Sequence, residues 1–254
     1  MSLRDFSPLT LSCIIFTLTV GGIFLGVLLR LALPKHHLSK DSQDVVRLGV
    51  GLVATIAALV LGLLIAAAKS SFDTQSGQVR QITADILLVD NLLSLYGPEA
   101  QPIRQELRTA MGSVVDHIWS EKTAKTTGRF AADAAAEKAY VDIQALVPKT
   151  DLQRSIQGRA IQAGTDATQI RLLLFTESGN LIPAPFLGIL VFWLIIIFAS
   201  FSLFSELNAT VFGFLVLFAL SASCAIFLIL ELSQPFSGLM AISSAPLREA
   251  LAPL

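Results

Sequence analysis

Glu231 is the side chain whose position most needs a chemical reason. It ends the apolar run "FLILE" and is followed at once by Leu-Ser-Gln-Pro-Phe-Ser-Gly. A carboxylate at a helix C-terminus faces the negative end of the helix dipole, and burying it without a partner is costly. Lys69 and Arg171 are the candidate partners for an ion pair there. The competing reading is a carboxylate left in water at the helix end. The remaining reactive residue types form no constellation. His36 and His37 are adjacent and His117 stands alone, and no His, Cys, Asp and Glu set has metal-ligand spacing. Cys13 and Cys224 each sit inside an uncharged apolar stretch and read as small apolar side chains rather than a disulfide. Gly49, Gly51 and Ala54 of "GVGLVA" match a dinucleotide fingerprint, but no strand precedes them. With no nucleophile elbow, HExxH or phosphate loop either, the sequence predicts no enzyme, no metal and no cofactor. A net charge of −1 gives no nucleic-acid signal.

A second set of residues has spacing without reactivity. Ala54, Ala58, Gly62 and Ala66 recur every four residues, with Gly51 and Thr55 on an adjoining face. Gly22 and Gly26 repeat the spacing earlier in the chain. Small residues at this spacing let helix backbones approach closely. The same ladder can also line a narrow apolar pore that gates by dewetting. Both readings stand at this point.

The elements that must position these residues follow from hydropathy. The chain is 54% hydrophobic and 15% charged, with a mean hydropathy of +0.69, well outside the range of an ordinary soluble domain. Residues 6–29 and 48–68 carry no charged side chain, and 181–230 carry one, Glu206. Each run is at least about the 20 residues that a helix needs to cross a bilayer. Within lipid the backbone must satisfy itself, so the runs must be helical. Four transmembrane helices are expected, at about 9–31, 47–69, 184–204 and 209–230. The first has too long an apolar stretch, and no small-x-small site after it, for a cleaved signal peptide.

Most of the charge lies between residues 70 and 180, and this part reads as helical and extramembrane. Val79, Ile82, Ile86, Val89, Leu93 and Tyr96 form a heptad-type seam that continues the second span into water, up to the stop at Gly97-Pro98. Ile103, Leu107, Met111, Val114 and Ile118 mark the next helix, and "FAADAAAEKAYVDIQAL" another. Thr150-x-x-Gln153 is a capping box opening a helix with Leu152, Ile156, Ala163, Ile170 and Leu174 on one face. The expected class is thus all-α: an integral membrane protein with four transmembrane helices and a helical extramembrane domain between helices 2 and 3. The parts are an N-terminal hairpin (1–69), the helical domain (70–182), a C-terminal hairpin (183–231) and a tail (232–254) packing on that domain. Basic residues do not settle sidedness. Arg30, Lys35, Lys40 and Arg47 on one side balance Arg4, Lys69, Arg80, Arg171 and Arg248 on the other.

Four segments carry a resemblance: "LGLLIAAAKSSF", "LLSLYGPEAQPIRQELR…W", "QIRLLLFTES…IPAPFLGILVFWLIIIFASFSLF" and "LILELSQPFSGLM". From about residue 45 onward the chain resembles the bestrophin-like family of bacterial integral membrane proteins. That family is itself remotely similar to the bestrophins, pentameric anion channels. The resemblance implies a homo-oligomer, a pentamer, in the bacterial inner membrane, with small anions passing along the second helix. It also implies a neck juncture near Lys69 and Phe72, and places both termini and the helical domain in the cytoplasm. Pro235-Phe236-Ser237-Gly238 looks like the turn that follows the last bestrophin membrane helix. The acidic calcium cluster of animal bestrophins is missing, so no calcium gate of that type is expected. Two rival readings remain. One is a non-conducting membrane-anchored scaffold or sensor acting through the seam and the helical domain. The other is a small-solute transporter, hinted at by Ser221 and Ser223.

Overall fold

The computed structural model describes residues 7–34, 39–119, 137–177, 184–205, 208–236, 238–245 and 248–249. Among them no strand occurs. The longer helices among the described residues are, in chain order, α1 (Pro8–Ala32), α2 (Lys40–Tyr96), α3 (Gln101–Trp119), α4 (described over 137–145), α5 (Asp151–Glu177), α6 (Ala184–Phe204) and α7 (Ala209–Leu232). Parts of α1, α2, α6 and α7 are each long and apolar enough to cross a membrane.

Two starts and one continuation have clear local causes. Ser7 caps α1, its hydroxyl accepting from the Thr10 amide at 3.2 Å, with Pro8 in the first turn. Asn208 caps α7 by accepting from the Val211 amide at 2.8 Å. Both satisfy helix-end donors that have no intrahelical acceptor. The second helix is 57 residues without a break, about 85 Å at 1.5 Å per residue. It starts at Lys40, earlier than the expected 47, because Ser39 caps it through its carbonyl and hydroxyl. It runs past Lys69 because the heptad seam takes over where the uncharged run stops. Gly97 ends it at φ 127°, where a Cβ would be strained and would also come within 3.0 Å of Glu99.

The chain divides into two compact units, 1–72 with 180–234, and 73–179 with 235–254. In the first, α1 lies against α6 and α7. Gly22 and Gly26 make the approach to α6 possible: a Cβ on Gly22 would sit 2.9 Å from the Ile195 carbonyl oxygen, and one on Gly26 would sit 2.1 Å from both the Ala199 carbonyl oxygen and the Ser202 hydroxyl. Ile15, Val50, Ala57, Leu190, Ile197 and Ile226 form a shared apolar core of all four helices.

In the second unit the seam is buried within the chain's own domain. Ile86, Val89, Leu93 and Tyr96 of α2 pack with Ile103, Leu107 and Met111 of α3, Ala139 and Ile143 of α4, and Ile156, Ala160 and Ala163 of α5. Val114 and Ile118 lie in α3, but their side chains are outside the described set, as is the sequence of "FAADAAAEKAY" before 137. Leu152, expected on the buried face of α5, is 70% exposed, since the first turn lies beyond the core. The capping box is also modified. Gln153 accepts from the Lys149 amide at 2.8 Å instead of reaching Thr150, while its amide donates to the Tyr96 carbonyl at 2.9 Å. Gln157 closes the C-terminal end of α4 by donating to the carbonyls of Ile143 and Leu146, both at 2.9 Å. In the tail, the Ile242 amide donates to the Pro235 carbonyl at 2.8 Å, and Gly238 holds φ 88°.

Candidate functional site

The membrane part of α2 presents three kinds of surface. One face is covered: Val50, Ala57 and Ala68 are buried, and Val53, Ala54, Leu61 and Leu64 pack beside them against the neighbouring helices. A second face carries large side chains, Leu48, Leu52, Leu59 and Leu63, all more than 60% exposed. The third is the small-residue ladder. Gly51, Thr55, Ala58, Gly62 and Ala66 are all exposed, and a Cβ placed on Gly51 or Gly62 meets nothing within 4 Å. The Thr55 hydroxyl donates back to the Gly51 carbonyl at 2.9 Å, so even the one hydroxyl of the ladder is satisfied within its helix. Ala54 alone of the predicted set lies on the covered side.

The equal spacings in α1 and α2 therefore have different outcomes. Gly22 and Gly26 are buried against α6. Gly62 is open to its surroundings, and Gly51 borders an open groove beside α6 and α7, with nothing within 4 Å of an added Cβ at either. A smooth, uncharged, backbone-rich strip of this kind can line a path only with further copies around it, or else pack against one.

At the end of this stretch Lys69 holds its ammonium 5.7 Å from the centre of the Phe72 ring, a cation–π contact. Nearby in the same unit, Glu231 is 3% exposed. The structure thus removes it from water, unlike the solvated reading of the sequence. Phe72 packs beside the cluster of Ala68, Ile229 and Leu232, the last of these adjacent to Glu231 in sequence. Arg171 is half-buried on α5 and belongs to the other unit. Pro235 is buried and Phe236 half-buried, while Gly238 takes the left-handed conformation that favours glycine; Ser237 lies outside the described residues. Cys13 and Cys224 are free and apart from the ladder. His36, His37 and His117 fall where side chains are not described, and no group of three or more metal-ligating side chains occurs among the described residues.

Sequence reasoning passed over two carboxylates of α2. Asp90 receives a forked pair of hydrogen bonds from Arg104 at 2.9 and 3.0 Å, and a third from Arg108 at 3.1 Å. These hold its carboxyl below the usual carboxylate range. Asp85 is 8% exposed; one oxygen accepts from Gln81 at 3.0 Å and the other has no hydrogen-bond partner. Burial pushes its carboxyl up, and the charge of Asp166 adds to the effect. The signal was available: Asp85 directly precedes the seam residue Ile86, and Asp90 directly follows Val89.

No curated protein and no solved structure matches the chain. The family model of the bestrophin-like domain matches residues 17–247, beginning inside α1 and well before residue 45. This four-span helical membrane protein belongs to the bestrophin-like family.

Proposed function

We propose that the chain assembles as a homo-oligomer, a pentamer by its family likeness, and passes small anions along α2. The observation that carries the reading is the exposed ladder Gly51, Thr55, Ala58, Gly62 and Ala66 on a helix whose other side is covered by its own chain. Copies arranged about an axis would bring these strips together into an apolar neck, and an ion would cross it when the neck is wetted. Ala54 supports the wall from behind. Lys69, held over the Phe72 ring, stands with it at the end of the uncharged run, the juncture where the path would leave the hydrocarbon. A buried carboxylate such as Glu231 needs a cation, and Lys69, in the same unit, is its candidate. The Pro235, Phe236 and Gly238 turn directs the tail. In this reading the protein sits in the inner membrane with its helical domain and termini in the cytoplasm, catalyses no reaction and uses no cofactor.

The scaffold reading relied on the seam as a docking face. That seam is occupied within the domain, which leaves the scaffold reading only the domain's outer surface. Ser223 donates to the Ala219 carbonyl within α7 at 2.9 Å, so it offers a solute no free hydroxyl hydrogen. Halide flux into liposomes, measured for the native chain and for Gly62→Phe, tests the proposal. Flux that Gly62→Phe blocks in an intact oligomer supports it, and an intact native oligomer without flux refutes it.

A further inference from the structure

A second feature of the membrane unit lies at the opposite end from Lys69. A groove of about 550 Å³ runs between α2, α6 and α7, lined among others by Arg47, Val50, Ala54, Ser200, Phe201 and Leu215. Its walls are mainly valine, leucine, alanine and phenylalanine. Its one charged lining residue is Arg47, and the polar groups that join it are serines. Arg47 is exposed and makes no hydrogen bond or ion pair among the described residues. Arg30 donates to the carbonyl of Ser205 in the groove wall, so a second guanidinium is tied to the same mouth. Val211, also in the wall, lies in the first turn of α7, where amides carry partial positive charge.

Arg47 and Arg30 have related places in the sequence. Arg47 immediately precedes the uncharged run 48–68, and Arg30 immediately follows the uncharged run 6–29. Both therefore sit where hydrocarbon gives way to headgroups, with the apolar wall extending inward from them. An arginine at that level matches a phosphate, which it can grip with two parallel N–H donors. An apolar groove opening from the same point suits an acyl chain and has no suitable small polar occupant. The geometry points to a binding site for one anionic phospholipid, its phosphate on Arg47 and a chain along Val50, Ala54, Phe201 and Leu215. This does not depend on conduction through the ladder.

The test uses the full-length protein purified in detergent. Its retention of dioleoyl phosphatidylglycerol and of dioleoyl phosphatidylcholine is measured by native mass spectrometry, with thermal stability in parallel. The expected result is a preference of about tenfold for the anionic lipid, the size of one charge-assisted contact. Arg47→Gln should remove that preference while leaving the weak retention of both lipids. Ser200→Leu, which fills the groove without touching the arginine, should lower retention of both. Glu206, next to Ser205 in sequence, lies outside the described residues, and Glu206→Gln should leave the preference unchanged. An unaltered preference in Arg47→Gln would overturn the inference, as would equal stabilisation by inorganic phosphate alone, which would leave the groove idle. Cross-linking of Ser200→Cys to a second copy would also overturn it, by placing protein in the groove.

Discussion

The Ser202 hydroxyl donates to the Ile23 carbonyl across α6 and α1 at 2.7 Å, and shares its hydrogen with the Ala199 carbonyl at 3.1 Å. The contact exists because Gly26 carries no side chain. Ser202 occupies the volume that a Cβ there would need, and it is 0% exposed. The two residues make different contributions to one interface. Gly26→Val is expected to cost 3 kcal/mol or more, since the obstruction is backbone and overpacking already costs about 1–3 kcal/mol where side chains can move. Ser202→Ala should cost only about 0.6–1.7 kcal/mol, the range for interhelical hydrogen bonds in membranes. Unfolding in detergent should separate them, and equal losses would contradict this division.

Asp90 predicts an acid-sensitive contribution from the helical domain. Its native carboxyl titrates below its unfolded value because Arg104, and then Arg108, favour the charged form. The stability this provides is complete above the ordinary carboxylate value, near pH 4, and is lost as pH falls through the depressed native value. Asp90→Asn should cost about 2 kcal/mol near neutrality, and the gap from the native chain should close below about pH 4. A gap that persists unchanged at pH 3 would contradict the charge as its origin.

Asp85 predicts the opposite slope. Its native carboxyl titrates above the ordinary value, with burial as the main cause and Asp166 as a lesser one. The native state is therefore favoured while Asp85 is protonated, and loses stability as pH rises through that raised value. Asp85→Asn keeps an oxygen for Gln81 and removes the buried charge. It should gain about 1 kcal/mol at neutral pH, with little change at pH 4. Destabilisation at neutral pH would mean that the charge is held by a partner.

The four spans were legible because lipid imposes a simple rule, about 20 uncharged residues in a helix. The limits of α2 were not, because the same rule marks hydrocarbon and not helix. Residues 40–46 are too polar for the span yet are helical under the Ser39 cap, and Lys69 ends an uncharged run without ending a helix. The faces of α2 were only half legible. Small residues four apart look alike whether they pack, as Gly22 and Gly26 do, or are left open, as Gly62 is. Only the neighbouring helices decide. Glu231 shows the same limit: its type and position posed the question, but its burial depends on atoms far along the chain. The groove at Arg47 could not be read at all, since α2, α6 and α7 meet there from widely separated segments.

Halide flux through liposomes carrying the native chain and Gly62→Phe, with oligomer size measured on the same samples, is the most direct check of the account. At Gly62 an added Cβ meets nothing within 4 Å, so the account predicts that Gly62→Phe folds, assembles and stops the flux. Unimpaired flux through an assembled Gly62→Phe would take the ladder out of the path. An intact native oligomer that passes no halide would contradict the account outright.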